Sequence, residues 1–190
     1  MGLVAKNKKT GELVYIFEYQ QPRQEISKND ISCHLCGGDL IIKSGLVRMK
    51  HFAHKPDAPC SCDYDRHPES YEHLFFKRLL ALELGNEFQE YLNTKPKLEY
   101  PLHEVKRIAD IVFEFPSGWL VAHEIQLSSI TTEELEKRTN DYRNAGVDII
   151  WWLGNRADTP RNREWLFENF GECYTLDWET VNKNNPKNNQ

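Results

Sequence analysis

The sequence predicts a mixed α/β protein. Two apolar runs rich in β-branched and aromatic residues, 107–111 and 119–127, are separated by a Pro-Ser-Gly turn at 115–118, a pattern typical of a β-hairpin. A helical pattern over residues 131–146 is followed by the apolar run 147–153. An apolar run of this kind after a helical crossover is typical of a buried strand in parallel pairing, so we expect helices to cover a partly parallel sheet.

An earlier helix and strand complete the predicted order. Pro68 fits the first turn of a helix and Glu69 complements the helix dipole, and the helical pattern continues to residues 85–88. Residues 97–105 form a predicted strand, in which Pro101 indicates an edge or a bulge. The predicted order is therefore helix, three strands, helix, strand.

The two ends of the chain are predicted to be peripheral. Residues 3–19 form a β-hairpin with a basic tip, and residues 20–32, which are polar and lack periodicity, form a linker. A helix over 161–170 and a short strand over 172–178 follow the last core strand. The predicted domains are an N-terminal unit at 1–62, the mixed α/β domain at 63–180 and a disordered tail, rich in Asn and Lys, at 181–190.

Composition and charge limit the classes of function. Hydrophobic residues make up 39% of the chain and no apolar run is long enough to span a membrane. Because the chain also begins without the apolar core of a signal peptide, we expect a cytoplasmic protein that does not bind membranes. The net charge of −5 argues against a large electropositive surface, although residues 1–60 carry nine Lys and Arg against six Asp and Glu. Nucleic-acid contacts would therefore depend on local basic patches.

Four of the five cysteines lie within residues 33–62, and in a chain without a secretory signal this clustering indicates metal rather than disulfides. Cys33 and Cys36 form a Cys-x-x-Cys knuckle followed by Gly-Gly, the spacing that tetrahedral zinc requires. A predicted hairpin, with its second strand at 46–50, returns the chain to His51 and His54. The sequence thus predicts a small zinc-finger-like unit with a structural Zn²⁺ ion bound by these two thiolates and two imidazoles.

Two further cysteines leave the ligand set open. The spacing of the two histidines is one residue shorter than zinc fingers usually have. Cys60 and Cys62 lie close by and are alternates for one or both histidines. The other interpretation of these two residues, and of Cys173, is a free thiol that only packs.

A pair of carboxylates marks the candidate catalytic site. Asp110 lies between apolar residues in the first hairpin strand, and Glu124 lies in the second. Burying a carboxylate in an apolar strand costs free energy unless it is paired or binds a cation. Two on neighbouring strands meet this requirement jointly by holding Mg²⁺, which prefers oxygen ligands. Since alternate side chains of a strand share a face, Gln126 should lie on the same side as Glu124, with Ile125 and Leu127 on the other.

Several motifs occur in a specific order and spacing. They are Cys33-x-x-Cys36, His51-Phe52-Ala53-His54, Glu69-Ser70-x-x-His73 with Lys77, Arg107-x-Ala109-Asp110, Glu124-Ile125-Gln126-x-Ser128 and Arg138-x-x-x-Tyr142. In this arrangement the chain resembles the PD-(D/E)xK nuclease superfamily and, within it, the CoiA-like competence nucleases, which join a zinc segment to the nuclease core. The resemblance covers residues 1–153 and implies a restriction-endonuclease-like core of the order αβββαβ.

The resemblance also implies a role for each site residue. Asp110 and Glu124 would hold Mg²⁺ or Mn²⁺, and Glu69 would complete or orient the metal shell. Gln126 stands where the superfamily motif has lysine and would orient the attacking water without adding positive charge. The side chains that would supply that charge and contact nucleic acid are Lys77, Arg107 and Arg138.

The implied function is that of a metal-dependent nuclease that hydrolyses DNA phosphodiester bonds in competence, recombination or DNA processing. Its expected partners are single-stranded or duplex DNA, a second copy of the chain, and recombination or DNA-processing proteins. A second hypothesis is a weakly active or inactive nucleic-acid-binding module of the same fold that works through partners. A third is that Asp110 and Glu124 belong to a structural salt-bridge network with Arg107 and Arg138, whose ion pairs would then be worth little individually.

Overall fold

The structure, a computed structural model, describes residues 2–45, 49–62 and 69–183, with side chains to residue 181. Among these residues, no helix combines the length and the apolar character that crossing a membrane requires.

The chain begins with a small three-stranded antiparallel sheet in the order β2-β1-β3. Its elements are β1 (Val4–Asn7), β2 (Leu13–Tyr15), a 3-10 helix (Ile16–Glu18), α1 (Pro22–Glu25) and β3 (Ile31–Ser32). The predicted hairpin of the first two strands is confirmed. The prediction of a linker over 20–32 is wrong, because Pro22 starts a helical turn and Ile31 pairs with β1 and is 1% exposed. A strand of only two residues, both of them buried, is too short to produce a visible periodicity.

A second, two-stranded sheet follows. Strands β4 (Leu40–Lys43) and β5 (His51–His54) pair antiparallel, with Leu40 opposite His54 and Lys43 opposite His51. The predicted second strand at 46–50 is therefore displaced: residues 46–48 lie outside the described part of the chain, and the observed strand is the histidine motif itself. Gly2 bridges to Phe52 in β5, which connects this sheet to the start of the chain.

Helix α2 (Tyr71–Glu87) is the first element of the main domain. The Ser70 hydroxyl accepts a hydrogen bond from the His73 N–H at 3.1 Å and caps the helix. The helix thus begins later than predicted, and Glu69 precedes the cap rather than lying in the first turn. Residues 63–68 lie outside the described part, so the domain boundary at 62–63 stays a prediction.

The main sheet has five strands in the order β10-β9-β8-β7-β6. The elements after α2 are a 3-10 helix (Gln89–Tyr91), β6 (Lys95–Leu102), β7 (Arg107–Glu114), β8 (Leu120–Gln126), α3 (Thr132–Asn144), β9 (Asp148–Gly154), α4 (Pro160–Phe170), β10 (Tyr174–Leu176) and α5 (Trp178–Lys183). Strands β6, β7 and β8 are antiparallel, while β8, β9 and β10 are parallel across the crossovers α3 and α4. The predicted mixed α/β fold and the order αβββαβ are confirmed.

Local signals account for several of these boundaries. The Thr131 hydroxyl accepts from the Glu134 N–H at 3.2 Å and caps α3, as Thr131 or Thr132 would be expected to do. Pro101 lies in β6, the edge strand, where a missing N–H costs least. The predicted disordered tail is wrong at residues 181–183, which belong to α5, and residues 184–190 lie outside the described part.

Two apolar clusters hold the layers together. The first joins α2, through Leu74 and Phe76, to Leu3 and Phe52 of the N-terminal sheets. The second lies under α3 and α4 and contains Leu135, Tyr142, Trp151 and Leu166. Because the N-terminal sheets pack on the same cluster as α2, a shift in either one is transmitted directly to the other.

Candidate functional site

A cleft of about 440 Å³ lies where α2, α3 and the three antiparallel strands meet. Every neighbouring element contributes a carboxylate to its lining: Glu69 precedes α2, Glu99 comes from β6, Asp110 from β7 and Glu124 from β8. Such a convergence of acidic side chains in a concave site is a candidate catalytic or metal site.

The Asp110 and Glu124 carboxylates each accept a hydrogen bond from the backbone of the neighbouring strand, at the open end of the predicted hairpin. The β7–β8 pairing reaches Ile111 opposite His123. Beyond that pair, the Asp110 N–H donates to Oε1 of Glu124 at 2.9 Å, and the Ile125 N–H donates to Oδ2 of Asp110 at 2.9 Å. Each carboxylate therefore satisfies a backbone donor on the opposite strand, which fixes both side chains at the floor of the cleft.

Glu124 is otherwise satisfied from α3. Its Oε2 accepts from the Arg138 guanidinium at 2.6 Å, and the same guanidinium donates to Oε1 of Gln126 at 2.8 Å. This shared partner confirms that Glu124 and Gln126 lie on one face of β8. Burial and the nearby Asp110 charge raise the pKa of Glu124, despite the opposing effect of Arg138.

Asp110 is satisfied from α2 instead. The His73 Nε2–H donates to Oδ2 of Asp110 at 3.2 Å and to the Ile125 carbonyl at 3.1 Å, while Nδ1 of His73 makes an ion-pair contact of 3.1 Å with Oε1 of Glu69. The Lys77 ammonium, 1% exposed, bonds to Glu69 and lies 3.4 Å from Oδ1 of Asp110. The charge of Asp110 is thus stabilised by side chains of α2, and that of Glu124 by a side chain of α3.

These contacts outweigh the effect of burial on ionisation. Burial alone would raise the pKa values of the acids, but Lys77 and His73 lower that of Glu69 to about 2 and also hold that of Asp110 well below its usual range. Conversely, burial opposes the charge of His73, yet Asp110 and Glu69 raise its pKa to about 10, and Lys77 is raised further above its ordinary value. All four groups are therefore charged at neutral pH.

The predicted cationic residues divide into three cases. Lys77 is buried among carboxylates and is not presented to a nucleic acid, so its predicted role as a nucleic-acid contact is not supported. Arg107 does not line the cleft, and it donates to Asp141 at 2.6 Å. Arg138 lines the cleft and pairs with Glu124.

Gln126 is also bound within the protein. Its amide nitrogen donates to the carbonyl and to the hydroxyl of Ser128 at 2.8 and 2.9 Å, and its oxygen accepts from Arg138. With both ends of the amide engaged, the side chain positions Arg138 and the chain after β8.

The residues of the cleft fit a divalent cation. Candidate ligand atoms of Glu69, His73 and Asp110 lie within 4.8 Å of one another. Oε2 of Glu69 is buried and has no hydrogen-bond partner within the described ranges, which leaves a free acceptor on a residue that lines the cleft. Glu124, which the sequence paired with Asp110 as a ligand, is outside this group.

A second ligand cluster lies in the N-terminal unit. Sulfur atoms of Cys33, Cys36 and Cys60 and a ring nitrogen of His54 lie within 4.8 Å of one another. Three thiols and an imidazole are a donor set that suits tetrahedral zinc. Cys62 is adjacent, with its sulfur 3.0 Å from that of Cys60, but it is not part of this group.

His51 does not join the cluster, contrary to the predicted ligand set. Both histidines lie within β5, and because they are three positions apart their side chains point to opposite faces of the strand. Nδ1 of His51 instead lies 2.9 Å from the Met49 carbonyl. Cys60, one of the two predicted alternates, takes its place.

The Cys-x-x-Cys knuckle depends on its two glycines. Gly37 has a φ of +73°, a conformation that glycine adopts without strain. A Cβ on Gly38 would lie 3.2 Å from the Cys36 sulfur, and the Gly38 N–H donates to that sulfur at 3.4 Å. Burial opposes ionisation of Cys36, but this N–H and other donors lower its pKa, whereas burial raises the pKa of Cys33 to about 12.

Two cleft residues received no individual role from the sequence. His73 was part of a quoted motif, but its contacts with both acids depend on the packing of α2 against the sheet. Glu99 lies between the apolar residues Leu98 and Tyr100 of β6, and that was the only local signal available for it.

Comparisons with known proteins place the chain among competence proteins. The profile described as "Competence protein CoiA, nuclease-like domain" matches residues 69–184, and "Competence protein CoiA, N-terminal domain" matches residues 18–63. The Competence protein CoiA of Bacillus subtilis (strain 168) is 28% identical over 162 residues, which cover 85% of this chain and 40% of that protein. The chain therefore spans less than half the length of this relative.

A solved structure, that of a repair endonuclease from Pyrococcus abyssi, overlaps 60% of this chain and 50% of its own, with 17% sequence identity and a TM-score of 0.37. This likeness is too weak to support an inference. The nuclease-like profile, by contrast, covers more than half of the sequence and includes every residue of the acidic cleft. On that match, the chain belongs to the CoiA family of competence proteins.

Proposed function

We propose that this chain is a metal-dependent nuclease that hydrolyses DNA phosphodiester bonds in competence, recombination or DNA processing. The observation that supports it best is the convergence of Glu69, His73 and Asp110, with ligand atoms within 4.8 Å of one another, in a cleft of the nuclease-like domain. A purely structural network would not require a buried, unpartnered carboxylate oxygen on Glu69, a residue that lines that cleft.

Glu69 and Asp110 are the proposed ligands of Mg²⁺ or Mn²⁺, and the protonated His73 ring orients the Asp110 carboxylate by a hydrogen bond. A divalent cation held there lowers the pKa of a bound water and stabilises negative charge on the scissile phosphate. Glu124 supports the site through the Asp110 N–H, so that the Asp110 carboxylate keeps its orientation.

Two cations supply positive charge that Gln126 does not. The Lys77 ammonium lies beside Asp110, and the Arg138 guanidinium is held at the cleft wall by Glu124 and Gln126. Positive groups fixed in a cleft stabilise a developing phosphate charge without reorganisation. Gln126 therefore acts in this proposal by positioning Arg138.

The N-terminal cluster is proposed to bind a structural Zn²⁺ ion through Cys33, Cys36, His54 and Cys60. Ligation would bind the knuckle, β5 and the segment after β5 together.

A second candidate function is a nucleic-acid-binding module with little or no activity. It is favoured by the same cations, because Lys77, His73 and Arg138 already neutralise much of the acidic cluster without any metal. Such a protein would bind DNA but leave it intact, and it would act through partner proteins.

Cleavage of labelled single-stranded and duplex DNA by the purified chain with Mg²⁺, Mn²⁺ or EDTA tests the proposal. We expect metal-dependent cutting that Asp110→Asn abolishes, because the amide cannot replace an anionic ligand. Glu114→Gln, on the exposed end of the same strand, is the matched control and should cut like wild type. DNA binding without cutting by wild type would favour the second function.

A further inference from the structure

Glu99 is a buried carboxylate in the edge strand β6 that faces the cleft. The pairing of Leu98 with Ile111 in the β6–β7 register places Glu99 across from Asp110. Its residue exposure is 3%. A carboxylate at this depth requires partners that stabilise its charge.

Its carboxylate contacts both the N-terminal sheet and α2. The Leu3 N–H donates to Oε1 of Glu99 at 2.5 Å, and the Lys77 ammonium lies 3.8 Å from the same oxygen. A Cβ on Gly2 would lie 2.5 Å from Oε2, so the N-terminal backbone packs against this carboxylate at a distance that only glycine permits. Glu99 therefore joins β1 to the ammonium of the cleft.

The backbone of Glu99 is strained and accepts a hydrogen bond from the Cys33–Cys36 knuckle. Its φ is +53°, in the left-handed region, which is unfavourable for a residue that carries a Cβ. The Glu99 carbonyl accepts a hydrogen bond from the His34 Nε2–H at 2.9 Å, and His34 lies inside the Cys33–Cys36 knuckle. Such strain persists only where the surrounding structure over-determines it, and at this position the surrounding structure includes a candidate metal site.

The Lys77 ammonium is shared among three carboxylates. It bonds to Glu69 and lies 3.4 Å from Asp110 and 3.8 Å from Glu99. If the Glu99 charge were lost, the ammonium would be drawn toward the other two acids, and it would compete with a cation for their oxygens.

From these contacts we propose that Glu99 is a positioning residue whose charge draws the Lys77 ammonium away from Asp110, and that its conformation is maintained by the Cys33–Cys36 knuckle through His34. The proposal rests on the proposed function in that Glu69 and Asp110 bind a divalent cation. If the proposal is correct, zinc binding at the N-terminal cluster affects the affinity of the cleft for a divalent cation.

The test is the affinity of the zinc-loaded chain for Mn²⁺, measured by electron paramagnetic resonance of the free ion. Glu99→Gln keeps an acceptor for the Leu3 N–H but removes the charge, and we expect affinity to fall about tenfold or more. Glu114→Gln makes the same change at an exposed position and should bind Mn²⁺ like wild type. Glu99→Asp, which keeps the charge, should bind more tightly than Glu99→Gln. Equal affinities of Glu99→Gln and wild type would overturn the positioning role.

His34→Ala tests the connection to the knuckle and remains informative if Glu99→Gln does not fold. With zinc content checked by atomic emission, we expect His34→Ala to weaken Mn²⁺ binding, and the double variant to bind no more weakly than Glu99→Gln alone, because both changes act through one contact. Unchanged affinity in His34→Ala, or additive losses in the double variant, would overturn the connection.

Failure of this proposal and failure of the proposed function give different results. A wild-type chain that binds Mn²⁺ but does not cut DNA contradicts the nuclease and leaves the Glu99 test valid. A chain that cuts DNA while Glu99→Gln binds Mn²⁺ normally contradicts the role of Glu99 alone. A wild-type chain that binds no Mn²⁺ overturns the positioning role, whatever the cleavage assay shows.

Discussion

The ammonium nitrogen of Lys77 lies 3.4 Å from Oδ1 of Asp110, inside the protein and shielded from solvent. A buried ammonium surrounded by carboxylates neutralises charge where a divalent cation would otherwise do so. Lys77 and a bound metal ion therefore have overlapping electrostatic roles in the cleft, and this overlap can be measured.

We expect Lys77→Met to lower the metal-free free energy of unfolding by about 3 to 5 kcal/mol, because it leaves buried carboxylates without their cation. Added Mg²⁺ or Mn²⁺ should then raise the Tm of the variant more than that of wild type. Thermal melts with and without metal measure both effects. Arg78→Met, an exposed cation on the same helix, is the control, and equal metal-induced shifts in Lys77→Met and wild type would contradict the prediction.

For Gln126→Ala we expect a loss of cleavage rate of less than about tenfold, whereas removing a group that transfers protons typically costs about 10² to 10⁴. The reason is that the Gln126 amide nitrogen donates to Ser128 and its oxygen accepts from Arg138, so both ends of the amide are engaged within the protein. Single-turnover cleavage measures the rate. A loss as large as that in Asp110→Asn would mean that Gln126 acts directly in the reaction.

Cys60→Ser should release zinc from the N-terminal unit, because the Cys60 sulfur belongs to the four-residue cluster. Cys62→Ser makes the same chemical change two residues away and should retain zinc. His51→Gln should also retain it, since His51 lies on the opposite face of β5 from His54. Atomic emission of the purified variants decides between them, and zinc loss in Cys62→Ser but not in Cys60→Ser would reverse the assignment.

His123 should make the stability of the protein depend on pH. The residue is 1% exposed; its Nδ1 accepts from Trp152 Nε1–H at 3.0 Å, so Nε2 carries the proton and donates to the Tyr91 hydroxyl. Burial lowers the pKa of His123 to about 3. The unfolded chain therefore binds a proton near pH 6.5 while the folded chain does not, and the free energy of unfolding falls as the pH drops from about 6.5 toward 3.

Between pH 7 and pH 4.5 this single group should cost about 2 to 3 kcal/mol of stability. His123→Gln has no titratable ring and should lack this pH-dependent loss of stability, although we expect it to be less stable than wild type at neutral pH. Urea denaturation of both proteins at the two pH values isolates the effect. A stability difference between them that does not narrow at pH 4.5 would contradict the lowered pKa.

Local sequence patterns were sufficient for much of the fold. Turn residues and alternating apolar positions predicted the hairpin that carries Asp110 and Glu124, and Thr131 marked the start of α3. The Cys33–Cys36 knuckle was equally visible because its spacing and its glycines are contiguous. Strand and helix boundaries that depend on tertiary contacts were harder to predict from the sequence, as the displaced β5 strand shows.

The position of β5 also determines which residues form the candidate zinc site. With a strand predicted at 46–50, both histidines followed it and were free to converge. Inside the strand, the period of two separates His51 from His54, and a cysteine from the following segment approaches instead.

The sequence by itself determined the order of elements, the two carboxylates on adjacent strands and the cysteine knuckle, because each depends on residues close together in the chain. Tertiary structure alone decided that α2 satisfies Asp110, that α3 satisfies Glu124, and that Glu99 meets both Lys77 and the N-terminal sheet. These pairings depend on how layers pack across distances of up to 96 residues, as between Leu3 and Glu99, and local periodicity carries no information about them.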